Sequence, residues 1–265
     1  MKYNISKMKQ FIIDQTDIQA SIAVVLGSGM GGFCDQMNDV ILIPYKDIPN
    51  YPKSTVRGHA GELAIGSLDN IPLLAAKGRF HFYEGYDIKT ITLPVKLFHS
   101  LGIKSLIITN AAGSLNPDLR PGSLMIIDSH MDCTFRTSVT EPDEYSGTPY
   151  HDPTYIKLAI KAANQIDLAI TKGTYCWTLG PSYETPAEVS YIRSLGGDAV
   201  GMSTVPEIQE AAELGMKVLG ISTITNYAAG IIDDTLSHED VIKVSAQVKD
   251  NFTNLLTEII KGMVL

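Results

Sequence analysis

Short runs of apolar and β-branched residues alternate with amphipathic segments along most of the chain. Several runs are almost continuously hydrophobic, which is typical of strands buried on both faces of a sheet. The pattern predicts strands at residues 21–27, 40–45, 71–77, 105–110, 124–128, 174–179 and 217–223. Strands that alternate with helical segments indicate an α/β fold.

The segments between these strands carry apolar residues at helical spacing. Helices are predicted at residues 89–101, 154–166, 186–195, 205–215 and 238–261. Two of them begin with a capping signal, in which a threonine precedes a glutamate by three residues: Thr185 with Glu188, and Thr204 with Glu207. Both of these helix starts follow directly after polar residues at a strand end.

The segment 78–86, GRFHFYEGY, places Arg79, His81 and Tyr83 at every second position, between two phenylalanines. If this segment is a strand, the phenylalanines face the core and the other three side chains share the opposite face. A cation and an imidazole on one face suit a phosphate. Glu84 follows at once, and we expect it to orient His81 or to favour its protonated form.

Residues 132–153 are polar and rich in turn formers, which predicts one long surface loop. The chain shows no internal repeat, low-complexity tract or linker. We therefore expect a single domain that spans residues 1–265.

Composition and charge exclude several classes of protein. The net charge is −8 and the pI is near 5.2, which argues against general affinity for nucleic acid or anionic membranes. Three widely spaced cysteines form neither a disulfide framework nor a zinc pattern, and they fit a reducing compartment. The sequence shows no signal peptide and no apolar stretch long enough to span a bilayer, so we expect a cytoplasmic protein.

A glycine-rich turn follows the first predicted strand. Gly27 and Gly29 flank Ser28, and glycines let backbone N–H groups converge on an anion. With Gly32 they also match the dinucleotide fingerprint, and Asp47 lies at a suitable distance for a ribose contact. A plain tight turn, a phosphate loop and a dinucleotide loop all remain open on this motif alone.

Other polar residues stand where a strand ends or a helix begins. Asn110 is followed by small residues that leave room for a flat ligand, and Ser203 precedes a helix whose N-terminus can seat an anion. Tyr183 with Glu184, and Thr225 with Asn226, can read a heterocycle by stacking and hydrogen bonds. Taken one at a time, each of these motifs is explained at least as well by capping or turn formation.

Taken together, the motifs resemble the purine nucleoside phosphorylases of the trimeric class, which act on inosine and guanosine. The matching stretches occur in family order over nearly the whole chain: LGSGMGGF, STVRGHAGEL, GRFHFYEGY, TNAAGSLNP, GPSYETPAE, DAVGMSTVPE, TITN and SHEDV. The resemblance implies a single-domain α/β/α fold of three layers around a mixed, partly barrel-like sheet, assembled as a homotrimer.

The resemblance also implies a role for individual residues. The residues that it assigns to phosphate are Ser28, His59, Arg79, His81, Asn110, Ala111 and Ser203. Those that it assigns to the ribose are Tyr83, Met202 and His238, with Tyr150 of a neighbouring subunit as the candidate for an aromatic contact. The purine base is assigned to Ala112, Gly113, Tyr183, Glu184, Val200 and Asn226. His81, Glu184, Asn226 and His238 are the expected catalytic set.

The implied reaction is the reversible phosphorolysis of 6-oxopurine ribonucleosides and deoxyribonucleosides in purine salvage, by a pentosyltransferase. It releases the free base and a pentose 1-phosphate. Inorganic phosphate is the expected co-substrate, with no metal and no organic cofactor. The amide of Asn226 favours a 6-oxopurine, because family members that prefer 6-amino substrates carry an aspartate there.

Two departures from the family pattern bear on these expectations. Tyr227 stands where some members have a lysine, and residues 132–153 differ from the family sequence. The alternatives are a methylthioadenosine or xanthosine phosphorylase, a nucleoside hydrolase of the same fold, a dinucleotide-dependent oxidoreductase and a non-catalytic nucleoside-binding protein.

Overall fold

A computed structural model describes residues 3–56, 58–136, 140–232, 244 and 248–264. Their strands, numbered in chain order, are β1 (Ile22–Leu26), β2 (Asn38–Pro44), β3 (Glu62–Leu68), β4 (Ile71–Lys77), β5 (Ser105–Ser114), β6 (Leu124–Asp132), β7 (Glu144–Ser146), β8 (Ile170–Trp177), β9 (Ala199–Gly201) and β10 (Lys217–Tyr227). The helices are α1 (Ile5–Ile13), α2 (Ile88–Ile91), α3 (Leu93–Ser100), α4 (Pro153–Gln165), α5 (Pro186–Ser194), α6 (Val205–Glu213) and α7 (Lys249–Met263).

The sheet is mixed and partly closed. Strands β5, β10, β6, β8 and β9 pair in succession, and β9 pairs back onto β5, which closes a ring of five strands. The remaining strands extend from β5 as an open sheet in the order β1, β4, β3 and β2, while β7 pairs with β6. This arrangement confirms the expected mixed, partly barrel-like sheet.

Helices cover the sheet on two sides. Alternate residues of β1 enter different clusters: Val24 packs with α4 and α7, whereas Val25 packs with α1, α3 and α6. All five residues of β1 are buried, which explains its continuous apolar sequence. The two helical layers and the sheet between them confirm the three-layer α/β/α class.

Capping and backbone chemistry define several helix boundaries. The capping box of Thr185 and Glu188 is present at the start of α5, as predicted. The predicted helix 89–101 is instead two helices that meet at Thr92, because Pro94 has no N–H to continue the ladder. The start of the predicted helix 238–261 lies outside the described residues.

The prediction of one long loop at 132–153 was wrong. β6 continues to Asp132 and β7 pairs with it, so part of this segment belongs to the sheet. The side chain of His151 is buried and forms a hydrogen bond with His130, with 2.9 Å between His151 Nε2 and His130 Nδ1. The segment is therefore anchored to the core at both ends.

Candidate functional site

Four mutually parallel strands place their carboxyl ends at one edge of the sheet. β1 pairs in parallel with β4 and β5, and β5 pairs in parallel with β10. Ser28 therefore lies beyond β1, Arg79 beyond β4, and Asn110 and Asn226 in the last halves of β5 and β10. Ligands of α/β sheets bind at this edge, because successive strands diverge there and leave a crevice.

These strand ends surround an open cavity, whose empty volume including the part open to solvent is about 790 Å³. The predicted residues that line it are Ser28, His59, Arg79, His81, Tyr83, Asn110, Ala111, Ala112, Gly113, Tyr183, Glu184, Val200, Met202, Ser203 and Asn226. Tyr150 is not among the lining residues, and His238 lies outside the described residues. Val56, Thr225 and Ala228 also line the cavity.

Arg79 is buried at one end of the cavity, with 2% of its side chain exposed. Its Nη1 donates to Ser203 Oγ at 3.1 Å and to Thr204 Oγ1 at 3.3 Å. Its Nε lies 3.2 Å from Oε2 of Glu207, whose side chain is 1% exposed. Nε and Nη2 are both buried without a hydrogen-bond partner among the described residues. Since Nε faces the Glu207 carboxylate, Nη2 is the donor left for a ligand.

Thr204 has a strained backbone, with φ 79° and ψ −52°. This conformation costs a β-branched residue about 1–3 kcal/mol, and it closes a three-residue turn in which Val205 N donates to Ser203 O at 2.9 Å. The Thr204 side chain does not cap α6, contrary to prediction. It accepts instead from Arg79 and from Asn110 Nδ2, the latter at 2.9 Å.

Residues 78–86 do not form a strand, although Arg79, His81 and Tyr83 do line one cavity. Gly78 has φ 121°, and residues 82–84 form a 3₁₀ turn that ends at Gly85, with φ 85°. These positive φ angles turn the chain away from the sheet. Glycine adopts them without strain, whereas residues with a Cβ disfavour them. His81 stacks on Tyr83 with centroids 4.8 Å apart and on His59 with centroids 5.2 Å apart.

Burial lowers the pKa of both histidines in this stack. The pKa of His59 falls to about 3 through burial, with further lowering from His81 and Arg79. The pKa of His81 is lowered by burial, and its hydrogen bond to Glu84 opposes this only in part. Glu84 therefore orients His81, with its Oε1 3.2 Å from Nδ1 of the ring. It does not favour the protonated form of His81, which was the other expected effect. Both rings are neutral at pH 7.

Glu84 itself is held as an anion. Burial acts to raise its pKa, but hydrogen bonds from His81 and Thr55 prevail and lower it to about 2. Its Oε1 accepts from His81 N at 2.7 Å, and its Oε2 accepts from Thr55 N at 2.8 Å. The carboxylate thus ties the 3₁₀ turn to the segment that carries His59.

The glycine-rich turn packs tightly against β5. A Cβ on Gly27 would lie 2.8 Å from the Cα of Asn110, so only glycine fits here without a backbone shift. Ser28 Oγ lies 3.2 Å from His59 Nε2. A 3₁₀ turn, Gly31–Gln36, follows in place of the α-helix that a dinucleotide fingerprint needs, and Asp47 does not line the cavity. These features argue against a dinucleotide site.

The other end of the cavity is flatter and combines apolar walls with two polar groups. Ala112 and Gly113 on β5 face Val200 on β9, because Gly113 and Val200 are paired across the two strands. Glu184 is half-buried and accepts a 2.5 Å hydrogen bond from Thr178 Oγ1. Asn226 Oδ1 accepts from Thr225 Oγ1 at 2.8 Å. A carboxylate and an amide thus border a slot for a planar ring.

The prediction that the strand of Asn110 ends at that residue was wrong. β5 continues to Ser114, so Ala111, Ala112 and Gly113 belong to the sheet and pair with β10. Small side chains expose the strand to the cavity, which is the property that the sequence had indicated. Glu207 and Thr178 were not predicted as site residues, since a capping position explained the first and nothing marked the second.

A family model described as the phosphorylase superfamily matches residues 21–261, and the chain belongs to that superfamily. It is 43% identical over 267 residues to purine nucleoside phosphorylase 1 of Bacillus subtilis (strain 168), with 98% of each chain covered. It is 36% identical over 266 residues to the purine nucleoside phosphorylase of Mus musculus, with 94% of this chain and 92% of the mouse protein covered. These matches confirm the resemblance to purine nucleoside phosphorylases.

A solved structure shows the same similarity in three dimensions. The crystal structure of Schistosoma mansoni purine nucleoside phosphorylase in complex with inosine has a TM-score of 0.88 at 32% identity, and covers 97% of this chain and 95% of that chain. Within the described residues there is no group of three or more His, Cys, Asp or Glu side chains placed to hold a metal ion. No described helix is long and apolar enough to cross a membrane.

Proposed function

We propose that the protein catalyses the reversible phosphorolysis of purine nucleosides, with a preference for the 6-oxopurine nucleosides inosine and guanosine. The observation that carries this proposal is the polar end of the cavity. There a buried arginine keeps one donor free beside a hydroxyl and an amide, which suits an oxyanion. Superfamily membership and relatives named purine nucleoside phosphorylase support the same activity.

Inorganic phosphate occupies the polar end in this proposal. The residues assigned to it are Ser28, His59, Arg79, His81, Asn110, Ala111 and Ser203, all of which line the cavity. Arg79 supplies the permanent positive charge. The single ring N–H of neutral His81 is used by Glu84, so its Nε2 is an acceptor for a P–OH group of the phosphate. Such an arrangement compensates for the net charge of −8, which repels anions at long range.

The nucleoside occupies the remainder of the cavity. Tyr83 and Met202, with His238, are assigned to the ribose, and Ala112, Gly113, Tyr183 and Val200 to the faces and edge of the purine. Glu184 accepts a hydrogen bond from N1–H of the base, and Asn226 donates to N7 or O6. The amide at 226 and the carboxylate at 184 together match the donor and acceptor pattern of a 6-oxopurine.

The reaction breaks the N-glycosidic bond, leaving positive charge on the sugar and negative charge on the purine. Phosphate lies against the sugar, stabilises the oxocarbenium-like transition state and then bonds to the anomeric carbon. The base leaves as its anion, and Asn226 stabilises the charge at N7 or O6 by donating a hydrogen bond. Positioning and fixed dipoles supply most of the rate, since they require no reorganisation during the reaction. No cofactor takes part in the proposed reaction.

The proposed assembly is a homotrimer, in which Tyr150 contacts the sugar site of a neighbouring subunit. Within its own chain the Tyr150 ring packs edge-on against His130 and Tyr145, with centroids 5.4 and 5.2 Å away. Sedimentation velocity tests the trimer directly. The proposed location is the cytoplasm, which the three buried cysteines outside any disulfide support.

Cleavage of inosine with and without inorganic phosphate tests the proposed function, with detection of hypoxanthine and ribose 1-phosphate. Strict dependence on phosphate is the expected result. Hypoxanthine with free ribose, formed at a rate indifferent to phosphate, would instead identify a hydrolase. No cleavage of inosine, with turnover of adenosine, methylthioadenosine or xanthosine, would overturn the assigned specificity and leave a phosphorylase of another substrate.

A further inference from the structure

The carboxylate of Glu207 is buried in the first turn of α6, among the apolar residues Val205, Ile208 and Ala211. A buried ion pair contributes little net stability compared with apolar side chains of similar volume. The rest of this turn already packs against the core through apolar contacts. The Glu207 carboxylate accepts a hydrogen bond from the backbone of Thr204, and its single charged neighbour within 4 Å among the described residues is Arg79.

Glu207 and Thr204 restrain the guanidinium of Arg79 from two sides. Glu207 Oε2 lies 3.2 Å from Nε, on one edge of the planar group. Thr204 Oγ1 accepts from Nη1 at 3.3 Å. Because the guanidinium is rigid and planar, contacts at Nε and Nη1 also fix the direction of Nη2.

The backbone around Thr204 is part of the same restraint. The positive φ of this residue turns its hydroxyl away from the helix and towards Arg79 and Asn110, where it accepts a hydrogen bond from each. A capping hydroxyl would have bonded to the helix N–H groups instead. The strained turn and the buried carboxylate thus act on one guanidinium.

We infer that Glu207 is a positioning residue for the phosphate subsite: together with Thr204 it fixes the Arg79 guanidinium so that Nη2 remains available to the anion. This inference rests on the proposed function, in which Arg79 binds phosphate. Glu207 does not contact substrate. Its effect is on the KM for phosphate and not on the binding of the purine base, because the base slot is at the other end of the cavity.

The test compares Glu207→Leu with Glu207→Gln. The leucine variant removes the carboxylate that pairs with Nε, and we expect its phosphate KM to rise on the order of 10-fold or more, because the guanidinium is no longer held for its charged hydrogen bond to the anion. Its inosine KM and its kcat at saturating phosphate stay within about threefold of the wild type. Glu207→Gln keeps an oxygen of the same size and position beside Nε, so it restores most of the phosphate affinity.

Glu210→Leu is the matched control, since Glu210 lies on the same helix and pairs with Lys96 at 3.1 Å, away from the cavity. Its phosphate KM stays unchanged. Isothermal titration of inorganic phosphate gives a second readout that does not need turnover. The inference would be overturned if Glu207→Leu kept the phosphate KM and phosphate affinity of the wild type. This holds provided that the variant also has the melting temperature and the hypoxanthine affinity of the wild type.

Two further outcomes are separable. If Glu207→Leu does not fold, Glu207→Asp decides, because it keeps the charge but withdraws it by one methylene. A raised phosphate KM in that variant supports positioning, and an unchanged one refutes it. If the wild type binds phosphate but performs no phosphorolysis, the proposed function fails, and the phosphate affinities of the variants still decide the role of Glu207.

Discussion

Replacing Arg79 by methionine separates the stability of the buried ion pair from its role in the cavity. Arg79 and Glu207 are only 2% and 1% exposed, so the substitution leaves a carboxylate buried without its partner. Removing one member of a buried pair destabilises a protein by about 3–5 kcal/mol, because the remaining charge is uncompensated. We expect Arg79→Met to lose that much free energy of unfolding at pH 8.

The loss depends on pH in a defined direction. Burial raises the pKa of Glu207 above its ordinary 4.5, and Arg79 opposes this rise. Without Arg79 the folded-state pKa rises further. A carboxyl group with a raised folded pKa contributes stability that is complete below the unfolded pKa and is lost as pH increases through the folded pKa. The deficit of Arg79→Met relative to wild type is therefore smaller at pH 5 than at pH 8.

Urea unfolding at both pH values measures this deficit, and Arg79→Met/Glu207→Leu is the matched double variant. Two apolar side chains replace the pair, so the double variant recovers most of the stability at pH 8. It does not recover phosphate use, because the guanidinium is still missing. A deficit that is independent of pH, or a double variant no more stable than Arg79→Met, would refute an ionised buried pair.

Three other substitutions test separate parts of the site. Asn226→Asp should change the ratio of kcat/KM for inosine over adenosine roughly 10-fold in favour of adenosine, since a carboxylate cannot donate to a 6-oxopurine; an unchanged ratio would contradict the assigned base edge. Glu84→Gln should raise the phosphate KM about 3- to 10-fold, because the His81 ring loses a charged acceptor; unchanged phosphate affinity would remove Glu84 from the site. Gly27→Ala should destabilise the protein by about 1–3 kcal/mol, because its Cβ would meet backbone of β5 at 2.8 Å. Gly31→Ala is the control for that variant in thermal melting, since its Cβ would meet only a lysine side chain at 3.7 Å.

The core of the fold was predictable because its signals are local. β1 and β4 are apolar runs bounded by polar residues, and α4 and α5 begin with clear caps. The amphipathic α1 and the strand β3 were not predicted, although both are regular. β9 has only three residues, too few for a period to be visible, and its position depends on partners far along the chain.

Most residues that line the cavity could be predicted from the sequence, but the contacts between them could not. Ser203 was found from its place before a helix, and Asn110 from the small residues that follow it, although its strand continues to Ser114. The alternation of Arg79, His81 and Tyr83 gave the right grouping for the wrong reason, because glycines with positive φ direct the chain there. Arg79 and Glu207 form an ion pair although they are far apart in the sequence. A local sequence pattern contains no information about such a contact.

The closure of the strand ring has a consequence for altering substrate preference. β9 closes the ring with only two residue pairs to β5 and three to β8, and Val200 is in both sets while it also forms a wall of the base slot. A larger or polar residue at 200 would thus strain the narrowest junction of the barrel along with the fit of the base. A change of base specificity at this wall is therefore limited by the integrity of the barrel, whereas a substitution of Glu184, which lies outside the strands, leaves the strand ring intact.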